Sequence, residues 1–193
     1  MARPAFKRVL IRFIPEAAER STYVLLSSLA LIALFAFWQP VGGAIWNMSN
    51  PVARDALNSF CLLGFGLVLI STFLINHFDL FGLRQVWLYL TGKPYTNLEF
   101  RTSLFYRYVR HPLYVGWIIA FWATPTMTGA HLLFATLGTT YMLLAIRWEE
   151  RDLITLHGHK YESYREQVPK LMPSLTRYRF VDERAKTRDR VAA

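Results

Sequence analysis

The chain is poor in cysteine. Cys61 is the single cysteine among 193 residues, so no internal disulfide can form. A small secreted domain held together by disulfides is therefore excluded. Because Cys61 lies inside an apolar run, we expect its thiol to pack as a small hydrophobic group.

Charged side chains are missing from four long stretches. Residues 22–38 and 56–76 carry none, and each approaches the length of about 20 residues needed to cross a bilayer. Residues 112–130 and 131–146 are also free of Asp, Glu, Lys and Arg. These runs predict an all-α integral membrane protein with about four transmembrane helices, the last two forming a short hairpin with a tight turn at Thr126–His131. The first run exceeds the apolar core of a signal peptide, about 7–15 residues, so we expect a retained helix.

Acidic residues are scarce, with 13 Asp and Glu against 22 Lys and Arg. If the four runs cross in sequence, twenty-one of the twenty-two cationic residues lie on one side. This asymmetry predicts a bacterial-type inner-membrane protein with both termini in the cytoplasm. Topology thus accounts for the net charge of +9 without a nucleic-acid partner. Anionic membrane lipid would add attraction on the same side.

The organisation indicates one membrane domain over residues 1–193. We expect an N-terminal arm with two transmembrane helices over 1–75, a functional core over 76–176 and a flexible tail over 177–193. Within the core, residues 80–90 mix apolar, aromatic and cationic side chains, which predicts a short helix in the membrane interface. A helix from Arg147 should end at Gly158, followed by a short helix over 160–167.

The start of the third run combines several groups able to bind a charged ligand. Pro112 suits the first position of a helix, which places His111 near its N-cap. A helix start attracts carboxylates and phosphates, and Arg110 adds a fork for a planar anion. Tyr114 offers a phenol, and Gly116 allows close approach of backbone or ligand. The alternative is that these are ordinary interfacial residues at a helix start.

Two acidic residues follow the fourth run. Glu149 and Glu150 should lie on the same membrane face as the proline-led helix start, and one of them could bind an ammonium or sulfonium group or a ribose diol. The alternative is pairing with neighbouring arginines on a solvated helix. Further along, Tyr161, Tyr164 and Arg165 have helical spacing, so their face could close over the site or lie on the membrane.

Several segments together resemble a known family. Residues 110–116 (RHPLYVG), 149–153 (EERDL) and 157–173 (HGHKYESYREQVPKLMP) are similar to the core of the isoprenylcysteine carboxyl methyltransferase-like membrane methyltransferases. Residues 76–85 (NHFDLFGLRQ) resemble a narrower branch that contains methanethiol S-methyltransferases and NnrU-type proteins. The resemblance covers about residues 70–173. Family members can carry a longer helical part ahead of this core.

The resemblance implies S-adenosylmethionine (SAM) as methyl donor, S-adenosylhomocysteine as product and no metal. It implies a donor site on the cytoplasmic side, built from Arg110, His111, Pro112, Tyr114, Gly116, Glu149, Glu150, Tyr161, Tyr164 and Arg165. The donor's carboxylate suits the helix start, and its ammonium suits a glutamate. Which of the two adjacent glutamates faces the donor stays open at this point.

The branch implies methanethiol as acceptor and dimethyl sulfide as product. A simple alkyl thiol is mostly protonated at neutral pH, so a base or a cation is needed. We predict that His77 takes the proton and Arg84 holds the thiolate; alternatively His77 is an interfacial residue bonded to Asp79. A lipid amine or a prenylated cysteine carboxylate is an alternative acceptor. A haem or redox protein is a weaker alternative, since no two histidines face each other at mid-depth.

Overall fold

A computed structural model describes residues 12–39, 41–75, 77–96 and 104–174. This part of the chain contains seven α-helices, two short strands and two 3-10 turns, at Glu16–Ala18 and Leu104–Arg107. The helices are α1 (Glu19–Ala36), α2 (Pro51–Leu74), α3 (His77–Leu80), α4 (Leu83–Leu90), α5 (Pro112–Trp122), α6 (Gly129–His157) and α7 (His159–Gln167), and the strands are β1 (Ala44–Asn47) and β2 (Thr126–Thr128).

Three helical segments are long and apolar enough to cross a membrane: Glu16–Ala36, Pro51–Leu74 and Gly129–His157. The prediction of an all-α integral membrane protein is confirmed. The third predicted crossing is shorter than expected, because α5 has 11 residues and spans only about 16 Å at 1.5 Å per residue. By contrast, α6 is one continuous helix of 29 residues that carries the fourth apolar run and both glutamates.

The two strands form a small antiparallel sheet at the end of the molecule opposite α4. The indole of Trp46 donates to the carbonyl of Thr124 at 3.1 Å, and the hydroxyl of Thr126 donates to the Asn47 side chain at 3.0 Å. The sequence analysis expected a turn rather than a strand in this region, and the prediction of a tight turn over Thr126–His131 was wrong. Its first three residues pair with β1, and α6 already begins at Gly129.

Helices α2 and α5 pack backbone against backbone. A Cβ atom on Gly64 would lie 2.7 Å from the Gly116 carbonyl oxygen and from the Ala120 nitrogen. A Cβ atom on Gly116 would lie equally close to the Gly64 carbonyl oxygen. The Cys61 thiol contacts the Ala120 carbonyl at 3.5 Å, consistent with the expected packing role. The close packing of Gly64 against Gly116 and Ala120 fixes the first turns of α5 relative to α2.

At the end of the molecule away from the sheet, the first turn of α1 packs against the residue that precedes α4. Helix α4 is the short interfacial helix predicted from the sequence. Gly82 has a φ of 77°, and a Cβ atom there would lie 2.7 Å from the Ser21 nitrogen. A side chain would strain this turn and push α1 away. The helix ends at Leu90, the last residue of the predicted range 80–90, and Gly92 just beyond it has a φ of 68°.

The last two helices, α6 and α7, are joined by a sharp turn at Gly158 and pack against each other. Gly158 has a φ of 53° and ends α6 as predicted, because a side chain is disfavoured at positive φ. Helix α7 then returns so that Tyr161, Tyr164 and Val168 are buried together, with Leu153 and Ile154 of α6 packed against them. This pairing brings the segment after α7 beside the residues that precede α5.

Candidate functional site

The site is built around the start of α5. Pro112 is the first helical residue and His111 is the N-cap, as predicted, but the imidazole makes no capping hydrogen bond. His111 is buried, with 5% of its surface exposed. The backbone amides of Arg110 and His111 donate to the carbonyls of Pro169 and Lys170 at 3.0 and 3.2 Å. The chain after α7 therefore lies alongside the helix start.

Glu150 is the central anion of the site. One of its oxygens lies 3.1 Å from Arg110 Nη1 and 3.2 Å from His111 Nε2. The other lies 3.7 Å from Lys170 Nζ. Only 7% of Glu150 is exposed. A buried carboxylate needs such partners, because burying an uncompensated charge is costly. We call Arg110, His111, Glu150 and Lys170 the Glu150 cluster.

Glu149 points to a different environment. Its side chain is 42% exposed, and its carboxylate lies 3.9 Å from His111 Nδ1. The Tyr114 side chain lies close enough to interact with it electrostatically. Because α6 turns by about 100° per residue, neighbouring side chains point in different directions. Glu150 is thus committed to internal pairing, whereas Glu149 retains an accessible carboxylate.

Burial favours the neutral form of the His111 imidazole. Burial lowers its pKa below the usual range, outweighing the opposing effects of Glu149 and Glu150. A neutral imidazole has one N–H donor and one acceptor nitrogen. The 3.2 Å contact assigns the proton to Nε2, which donates to Glu150. The acceptor Nδ1 then faces the half-exposed carboxylate of Glu149, so two acceptors stand side by side.

Arg110 retains unused donor capacity. Its Nη1 forms an ion pair with Glu150 by distance, yet the buried Nε and Nη1 groups make no hydrogen bond of good geometry within the described residues. Buried N–H donors are normally paired, so this edge of the guanidinium suits an anionic oxygen. In the same described part of the chain, no group of three or more His, Cys, Asp and Glu side chains is placed to hold a metal ion.

Of the three α7 residues singled out in the sequence, two lie near the site. The Tyr164 hydroxyl donates to the Tyr106 carbonyl at 2.5 Å, which ties α7 to the 3-10 turn before Arg110. Tyr161 packs against Tyr164, and its burial raises the pKa of its phenol. Arg165 is exposed on α7. Binding roles for these three side chains stay predictions.

Arg84 belongs to a second group of polar contacts. Its guanidinium donates to Asp79 at 3.0 Å and to the Thr96 carbonyl at 3.1 Å, and it lies over the Tyr95 ring, 5.2 Å from its centre. Asp79 also forms an ion pair with Arg20 of α1 at 3.4 Å. His77 begins α3, and its side chain lies outside the described residues. The catalytic roles of His77 and Arg84 stay predictions.

Two residues of this region were missed by the sequence reasoning. Lys170 contributes the second cation beside Glu150, after Arg110, and Tyr106 supplies both a backbone acceptor and a buried hydroxyl. Both lie in or next to segments of recognisable sequence, since Lys170 sits between two prolines and Tyr106 comes four residues before Arg110. Neither position has a local pattern that indicates its partner 20 or more residues away.

Comparison with known proteins places these residues in a family context. Residues 67–155, which include the start of α5 and both glutamates, match the isoprenylcysteine carboxyl methyltransferase family. No solved structure shows a significant match to the chain.

Several relatives cover nearly the whole chain. A methanethiol S-methyltransferase of Crocosphaera subtropica is 59% identical over 90% of this chain and 68% of its own length. One of Mycobacterium tuberculosis is 52% identical over 90% of this chain and 71% of its own length. Methanethiol S-methyltransferase 2 of Bradyrhizobium diazoefficiens is 49% identical over 97% of this chain and 72% of its own length.

Proposed function

The chain belongs to the methanethiol S-methyltransferase branch of the isoprenylcysteine carboxyl methyltransferase family, and we propose that it methylates methanethiol with SAM as donor. One observation carries the placement of the donor. The Glu150 cluster fixes Arg110 and His111 at the start of α5 while Glu149, one residue away, keeps an accessible carboxylate.

The amino-acid end of the donor fits these groups by charge. The buried Nε–H of Arg110, which has no partner among the described residues, would hold its carboxylate, supported by the amides at the start of α5. Glu149 and the acceptor Nδ1 of His111 would hold its ammonium between them. Glu150 is not needed for the ammonium, because three basic groups already surround it. We therefore propose Glu149 as the donor-binding glutamate and Glu150 as its structural neighbour.

The chemical step needs little from the protein beyond alignment and a thiolate. When bound, SAM supplies a sulfonium methyl group, and its displacement by sulfur gives dimethyl sulfide and S-adenosylhomocysteine. His77 accepts the thiol proton and passes it to solvent, since a base of pKa near 7 suits this task. Arg84 favours the anionic sulfur by charge, and its contacts with Asp79 and Thr96 hold the guanidinium in one orientation. Alignment of the reactants contributes several kcal/mol by itself, about 7–11 in well-oriented cases.

The site lies on the cytoplasmic side of the inner membrane in this proposal, with both termini on that side. The distribution of basic residues along the sequence supports it, because Arg54, close to β1, is the single Lys or Arg between the first two apolar runs, and the segment between the last two has none. Arg54 donates to Asn47 and to the Met48 carbonyl. Donor and acceptor would then meet where α5 starts and α6 leaves the bilayer.

The direct test is headspace gas chromatography of the purified protein supplied with SAM and methanethiol. We expect dimethyl sulfide from the wild type and none from His111→Ala, which removes a group from the donor site. His77→Ala should bind S-adenosylhomocysteine like the wild type but lose turnover. Calorimetry with S-adenosylhomocysteine separates the two effects.

Two outcomes would contradict the proposal. Wild-type turnover by both variants would show that neither imidazole acts as assigned. If the wild type bound S-adenosylhomocysteine but formed no dimethyl sulfide, the result would support SAM as the methyl donor and reject methanethiol as the acceptor. Incubation with lipid extracts would then test a lipid acceptor.

A further inference from the structure

The hydroxyl of Tyr106 is a polar group that the described structure leaves without a partner. Tyr106 lies in the 3-10 turn Leu104–Arg107, just before the residues that lead into α5. Its backbone carbonyl is used by the Tyr164 hydroxyl at 2.5 Å. Its own hydroxyl oxygen is buried and, among the described residues, has no hydrogen-bond partner.

A buried phenol in this state needs an explanation, because the large majority of buried polar side-chain atoms are paired. Packing alone would be served as well by phenylalanine. The backbone of the turn is already fixed by the bond from Tyr164, so the Tyr106 hydroxyl is not required to hold the turn. The hydroxyl is therefore free to serve a ligand.

The surroundings of Tyr106 identify the ligand group. The side chain lies close enough to Glu149 and Tyr114 for all three to influence one another electrostatically. Burial raises the pKa of Tyr106, so the phenol stays protonated and acts as a donor rather than a base. Its natural partner is an oxygen acceptor placed beside Glu149.

We propose that the Tyr106 hydroxyl donates a hydrogen bond to the carboxylate of the methionine moiety of the methyl donor. The inference rests on the proposed function, which places the ammonium of that moiety at Glu149 and His111. Ammonium and carboxylate are bonded to the same carbon atom. An ammonium at Glu149 therefore brings the carboxylate close to the same group of side chains, where Arg110 Nε and the Tyr106 hydroxyl are donors without a partner among the described residues.

Calorimetry with two nucleosides tests the proposal without using activity. S-Adenosylhomocysteine carries the amino-acid moiety, and 5′-methylthioadenosine lacks it. Tyr106→Phe should bind S-adenosylhomocysteine about 10-fold or more weakly, because a hydrogen bond to a charged group is lost. Its affinity for 5′-methylthioadenosine should equal that of the wild type, and its thermal unfolding midpoint should not fall.

Tyr164→Phe is the matched control, since it removes the neighbouring hydroxyl that holds the turn. It should lower the unfolding midpoint, an effect that Tyr106→Phe should not show. Equal affinity of Tyr106→Phe and wild type for S-adenosylhomocysteine would overturn the inference, as would an equal loss for both nucleosides. Failure of the wild type to bind S-adenosylhomocysteine would instead reject the proposed donor.

Discussion

Replacing Glu150 with glutamine tests the division of labour between the two adjacent glutamates. Glu150→Gln preserves the shape of the side chain and removes its charge. Arg110 would then be buried without its anion, and His111 would lose its strongest acceptor. Removing one partner of a buried ion pair costs about 3–5 kcal/mol. In a chain of this size each kcal/mol corresponds to about 2–4 °C, so the unfolding midpoint should fall by about 6 °C or more.

Glu149→Gln is the matched comparison one residue away. Because the Glu149 side chain is 42% exposed, losing its charge should change stability by less than about 1 kcal/mol. Its effect should instead appear in ligand binding, as a loss of about 10-fold or more in affinity for S-adenosylhomocysteine. Thermal unfolding in detergent, followed by tryptophan fluorescence, measures stability. Calorimetry with S-adenosylhomocysteine measures affinity for both variants.

The two variants should differ in kind: Glu150→Gln should lower stability, and Glu149→Gln should lower affinity for the nucleoside. If Glu150→Gln unfolded at the wild-type temperature, the Glu150 cluster would not hold the start of α5. If Glu149→Gln were the less stable variant, the assignment of the two carboxylates would be reversed. Equal nucleoside affinity for Glu149→Gln and wild type would remove Glu149 from the donor site.

Three further predictions follow from described contacts. Because burial lowers the pKa of His111 in the folded protein, His111 binds a proton at a higher pH in the unfolded chain than in the folded one. The contribution of His111 to stability should therefore be complete above about pH 6.5 and fall as the pH drops below that value. Thermal unfolding between pH 7.5 and 5 should show a less steep fall for His111→Gln than for the wild type. Gly64→Ala should destabilise α2–α5 packing by about 1–3 kcal/mol, whereas Gly66→Ala, which meets open space, should not lower the unfolding midpoint. Asp79→Asn should leave S-adenosylhomocysteine binding unchanged and slow dimethyl sulfide formation several-fold, because Arg84 loses the carboxylate that orients it; an unaltered rate by headspace chromatography would refute this.

Features with a local cause were predictable from the sequence. Pro112 begins α5 because its fixed φ and missing N–H suit the first helical position. Gly92 and Gly158 follow helix ends because both adopt positive φ. Apolar runs of membrane-crossing length correspond to α1, α2 and α6. The nearness of Glu149 and Glu150 to His111 also followed, since a hairpin returns to the side where it began.

Features that depend on distant partners were not predictable. The rotation of α6 about its axis decides that Glu150 points inward, where it meets Arg110 and Lys170. The Lys170 contact exists because the chain after α7 pairs with the residues before α5, which no local periodicity reveals. Strands as short as β1 and β2 have too few residues to show an alternating pattern. Their pairing was therefore invisible in the sequence.

The β1–β2 sheet also constrains the order in which the protein can be assembled. Its hydrogen bond between Thr126 and Asn47 joins residues 79 positions apart, and the bond between Trp46 and Thr124 joins residues 78 apart. During synthesis, β1 is made long before β2. The backbone groups of β1 therefore have no partner strand at the stage when α1 and α2 are already in the bilayer. The sheet can close only after α5 has been inserted. The sheet therefore forms late in biogenesis, and its formation shows that the third apolar run has been inserted.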